Sequence, residues 1–226
     1  MASPVLLVGT APLQPASIPA IFRTEEVRRI LENPPVTRHE GFNILTYERA
    51  QIVEGEKLRI DAWRKRLELY KDGTFIAIGT FSDLLGWPRD GDEFAQNPKV
   101  NSLALIEFTY DAFKTYEALL GHVEPLPIPI RCTLGIEGAH SFDQPLWMAP
   151  YALNTWGYES PRERYPAPAD SRSWMVDVEA GVDKPHIQPG RVAFDLVEQL
   201  YNWFGMTSDR IPYASAEAHE IDPTTF

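Results

Sequence analysis

A chain of 226 residues with 44% hydrophobic and 23% charged side chains has the composition of a protein that buries a core. Its net charge of −11 disfavours long-range attraction to nucleic acid, and its single cysteine excludes an internal disulfide. The apolar run Val5–Val8 is too short for a membrane span or a signal peptide, so a reducing, cytoplasmic location is expected.

In chain order, residues 1–22 read as an extended N-terminal segment, because Pro4, Pro12, Pro15 and Pro19 forbid a helix there while leaving room for short strands. One domain is expected over 23–213, and residues 214–226, rich in Pro, Ala, Ser and Thr, read as a flexible tail. Thr24 is placed to cap a first helix with Glu25 and Glu26 in its first turn and Val27, Ile30 and Leu31 on its apolar face; Asn33, Pro34 and Pro35 stop it.

Residues 41–80 alternate as antiparallel sheet. Phe42, Ile44 and Tyr47 suggest a first strand, Leu58 and Ile60 a second, and Leu67 and Leu69 lead through Lys71-Asp72-Gly73 into Phe75 and Ile78. Asp-Gly supplies the positive φ of a tight hairpin turn. The strongest helix spans 100–121, apolar over most of its circumference, with Asn101 or Ser102 as its cap. Glu107, Asp111 and Lys114 lie three and four residues apart and read as one narrow solvated stripe on that helix.

Further strands are expected at 128–136 and 173–178, and a C-terminal helix at 191–204 between Pro189 and Gly205. Between them, residues 137–190 hold Trp147, Tyr151, Trp156, Tyr158, Tyr165 and Trp174 in irregular, proline-rich chain. Large aromatic residues in such settings anchor interfaces, and are also common in cores. The expected fold class is α+β, an antiparallel sheet packed with the long helix 100–121 and the C-terminal helix.

Chemistry is sparse. No two histidines stand three or four residues apart, one cysteine cannot build a thiolate zinc site, and no phosphate loop, nucleophile elbow or dinucleotide fingerprint is present; no metal or cofactor is expected. Glu137 and His140, with Asp143 beyond, are an acid and an imidazole close in sequence just after an expected strand, and would be the start of a dispersed catalytic site. Cys132, inside an alternating strand, reads as a small core residue ahead of a nucleophile. Arg64, Lys65 and Arg66, beside Trp63 in the expected 57–71 hairpin, would suit a single nucleic-acid strand, although interleaved acids favour a solvated hairpin face.

Three stretches carry a resemblance. They are Gly41-Phe-Asn-Ile-Leu-Thr46 leading into Leu67-Glu-Leu-Tyr-Lys-Asp-Gly-Thr74 and Leu85-Gly-Trp87; Asn101-Ser-Leu-Ala-Leu-Ile-Glu-Phe-Thr-Tyr110; and Tyr201-Asn-Trp-Phe-Gly205 running to Ile211-Pro-Tyr213. Together they resemble the C-terminal region of bacterial Schlafen AlbA_2-type proteins, whose AlbA_2 domain itself has no counterpart here. The resemblance implies an accessory region or subunit in bacterial antiviral defence or regulation, and carries over no functional residue. The leading expectation is therefore a non-catalytic interaction module that meets a protein partner or itself. An enzyme around Glu137 and His140, and a single-strand-binding hairpin, stand as alternatives.

Overall fold

The computed structural model describes residues 3–14, 24–40, 42–88, 91–122, 128–151, 163–181, 186–215 and 217–223. The strands are β1 (Val5–Pro12), β2 (Gln51–Val53), β3 (Lys57–Ala62), β4 (Lys65–Tyr70), β5 (Phe75–Thr80), β6 (Gly86–Trp87), β7 (Lys99–Val100), β8 (Ile130–Glu137), β9 (Trp147–Met148), β10 (Tyr165–Pro166), β11 (Ser173–Ala180), β12 (Ala214–Ser215) and β13 (Glu220–Ile221). The helices are α1 (Glu25–Glu32), α2 (Gly91–Gln96), α3 (Ser102–Leu120) and α4 (Pro189–Trp203). The fold is α+β, built on a seven-stranded antiparallel sheet in the order β11-β8-β1-β5-β4-β3-β2.

Alternation along each strand divides the sheet into two faces. Leu6 and Val8, Leu58 and Ile60, Leu67 and Leu69, Phe75 and Ala77, and Ile130, Cys132, Leu134 and Ile136 point to one side and are all buried. This inner face is covered by α3 over the middle of the sheet and by α4 over β8 and β11. A methyl group added at Gly79 would sit 3.0 Å from Leu85 and 3.1 Å from the Phe108 ring, so the missing side chain lets α3 approach β5. The β4–β5 turn follows the expectation: Gly73 has φ 86°, and its carbonyl accepts a 2.9 Å bond from the Tyr116 hydroxyl, fastening the turn to α3. Asn101 caps α3 by accepting from the Ala104 amide.

Three expectations are corrected. Residues 5–12, read as part of an extended segment outside the domain, form β1 inside the sheet, hydrogen-bonded on both edges and with Leu6 and Val8 fully buried. The tail begins as a hairpin, β12–β13, whose Ile221 is buried against α4. Residues 42–50 form no strand. Asn43, itself buried, donates to the carbonyls of Arg38 and His39 and accepts from the Leu45 amide, so a side chain meets the backbone needs that a ladder would have met.

The polar residues of α3 are also unlike the solvated stripe read from their spacing. Glu107 is 1% exposed and Asp111 is fully buried. Glu107 accepts from Arg38 at 2.5 Å, from the Tyr213 hydroxyl at 2.9 Å and from the Phe42 amide at 3.3 Å, while Asp111 accepts from the amide and hydroxyl of Thr37. These acids hold the 37–42 segment and the C-terminal loop onto the helix.

Candidate interaction surface

The other face of the main sheet is where structure and sequence part most. Among the described residues no helix packs on it, and register places its side chains in rows across the strands. One row runs Met175, Gly135, Leu7, Ile78, Arg66, Asp61; the next runs Asp177, Thr133, Gly9, Ile76, Glu68, Arg59. The middle is apolar and low, since Gly9 and Gly135 carry no side chain and Met175, 64% exposed, lies against Gly135.

The flanks differ in charge. On β3 and β4 the face holds Lys57, Arg59 and Arg66 against Asp61 and Glu68. Glu68 is nearly buried beneath its neighbours, accepting from Lys57 Nζ at 2.9 Å and from the Tyr70 hydroxyl at 2.6 Å. Burial pushes its carboxyl upward, but Tyr70, Lys57 and Arg59 outweigh this and hold it below the ordinary glutamate value. Asp61 pairs with Arg66 at 2.6 Å and with Arg59, and these cations likewise overcome burial and hold its carboxyl down. On β8 and β11 the balance reverses, with Arg131 against Glu137, Asp177 and Glu179. Asp177 accepts from the Thr133 hydroxyl at 2.6 Å, and none of these three acids has an ion pair among the described residues.

The residues singled out from sequence are dispersed. Glu137 is exposed at the end of β8 on this outer face, whereas the His140 ring lies 2.9 Å from the Pro168 carbonyl. Asp143 lines a separate, open cleft of about 730 Å³ with Asp92, Gln96 and Phe142. No group of three metal-ligating side chains occurs among the described residues. Cys132 is buried on the inner face, and burial, with Asp177 nearby, pushes its thiol up to about 12; that leaves no thiolate for attack near neutral pH.

Arg64, Lys65 and Arg66 part company because a strand turns successive side chains to opposite faces. Arg64 lies 4.3 Å from the centre of the exposed Trp63 ring. Lys65 turns inward and donates to the Leu45 carbonyl at 2.7 Å, where burial lowers its ammonium to about 8. Arg66 joins the outer face. They therefore present no single basic patch.

Of the aromatic anchors, Trp147 is 3% exposed, donating to Asn97 and flanked by Lys99 and Arg164, so it belongs to the interior. Trp174 is half-buried beneath α4, 5.9 Å from Trp203 between ring centres. Tyr151 is exposed, and Trp156 and Tyr158 lie outside the described residues. Sequence reasoning missed half-buried Leu7 and Ile76 and exposed Met175 as outer-face residues; the available signal was the odd–even alternation of β1, β5 and β11, which marks a second face.

No helix among the described residues is long and apolar enough to cross a membrane. Comparison of the chain with protein-family models, with curated proteins and with solved structures yields no match.

Proposed function

We propose that this chain is a non-catalytic interaction module that docks protein on the outer face of its main sheet. Its setting would be the one the Schlafen AlbA_2 resemblance implies, an accessory part of a bacterial defence or regulatory assembly. The observation that carries the reading is the low apolar centre, half-buried Leu7, Ile76 and Ile78 with exposed Met175, framed by charged flanks on a face that no described helix covers. The dispersal of Glu137, His140 and Asp143 and the structural employment of Glu107 and Asp111 support it too.

The test compares the wild-type chain with Ile78→Asp, which plants a charge at the centre of the face. Association, with itself or with a captured protein, is measured by sedimentation and by affinity capture. Association that is lost in Ile78→Asp, while the far-ultraviolet spectrum is kept, supports the reading. Association equally strong in both chains, or none in the wild type, refutes it.

A further inference from the structure

Resting on that reading, we propose that the occupant of the outer face is a second copy of this chain, related by a two-fold axis parallel to the strands and lying between β1 and β5. The face is self-complementary under that one operation. The axis lays β1 over the partner's β5, β8 over its β4 and β11 over its β3, so the acid-rich flank of each copy covers the base-rich flank of the other. An axis perpendicular to the strands would lay like on like.

Because the axis runs along the strands, each row across the sheet faces its own copy. Leu7 then meets Ile78 across the interface, Gly9 meets Ile76, and the exposed Asp177 and Glu179 meet Arg59 and Lys57. The acids without an ion pair of their own thus find cations, and each contact occurs twice.

The size approaches that of a stable interface. The six strands that face one another, β11, β8, β1, β5, β4 and β3, are spaced about 4.8 Å apart and at least six residues long, and cover roughly 24 by 20 Å, about 480 Å² before side-chain relief is added. A stable interface takes about 800 Å² of accessible surface from each partner.

Sedimentation of the full chain should show a dimer at tens of micromolar, and Asp177→Lys should weaken it at least tenfold. Placement is tested by cysteine pairs and a bis-maleimide of about 10 Å, the separation of packed sheets. Asp177→Cys mixed with Arg59→Cys should cross-link, and neither variant alone should, since equal positions lie on opposite flanks. Cross-linking of Asp177→Cys with itself, or a dimer indifferent to Asp177→Lys, overturns the arrangement.

A wild-type monomer at 100 µM overturns the proposal outright, and peroxide then separates it from the reading beneath. Fast oxidation of Met175 leaves the face open to another protein. Protection of Met175 means that the chain covers its own face, and both ideas fall.

Discussion

Removing Arg38 should destabilise the protein more than removing the charge of Glu107, although the two form one ion pair. The reason is the difference in burial: the Arg38 side chain is half exposed and Glu107 is 1% exposed. In Arg38→Ala a carboxylate stays buried with, among the described residues, the Tyr213 hydroxyl and the Phe42 amide, at 2.9 and 3.3 Å, to replace water. Stranding one member of a buried pair costs about 3–5 kcal/mol, and because water can reach this site from the Arg38 side we expect about 3. In Glu107→Gln the amide oxygen can keep the Tyr213 hydroxyl, which bonds Oε1, while the NH2 replaces Oε2 and loses the long 3.3 Å bond from the Phe42 amide; Arg38 swings into solvent, for about 1–2 kcal/mol in all. The double variant should therefore be more stable than Arg38→Ala by about 1–2 kcal/mol, a rescue that two independent losses cannot produce. Urea unfolding of the four proteins at pH 7 measures the cycle. Additive losses, or an Arg38→Ala deficit below about 1 kcal/mol, would refute the reasoning.

Burial raises the Asp111 carboxyl to about 7, with Thr37 pulling the other way. The folded state then holds a proton that the unfolded chain gives up near pH 4, so this group's contribution falls as pH rises from 4 to 7, by no more than about 4 kcal/mol. Asp111→Asn should flatten that part of the urea-midpoint profile; an unchanged profile counts against a buried carboxyl. Gly79→Ala should lower Tm by about 3–10 °C, the range expected when overpacking costs about 1–3 kcal/mol in a chain of this size, because the new methyl group presses on Leu85 and Phe108. Calorimetry showing no change would mean that α3 has room to shift. The Cys132 thiol should resist Ellman's reagent in the native protein and react only as fast as the protein unfolds; rapid native labelling would contradict its burial on the inner face.

The elements that were legible in the sequence are those whose determinants are local. The Asp72-Gly73 turn, the Asn101 cap and the Pro189 start of α4 each sit within a few residues of what they specify. The membership of β1 in the sheet was hidden because its evidence is remote: its apolar run Val5–Val8 is short, prolines stand beside it, and its partners are β5 and β8. Glu107 was misread for the same reason, since Arg38 lies 69 positions before it and Tyr213 lies 106 after it. Lys65 looked like a surface cation until strand pairing settled which way it points. The outer face was legible only strand by strand, through alternation; a row such as Asp177, Thr133, Gly9, Ile76 draws on four separate stretches and exists only once register is known.

The place of β1 has a bearing on how the protein is made. Residues 5–12 leave the ribosome before both of their neighbours, one of which follows some seventy residues later and the other well over a hundred. At about 5–20 residues per second the strand waits several seconds for β5 and longer for β8. Through that interval Leu6 and Val8 have no native cover, and a nascent chain stalled before residue 130 would present the start of its sheet as a raw edge for chaperones to shield.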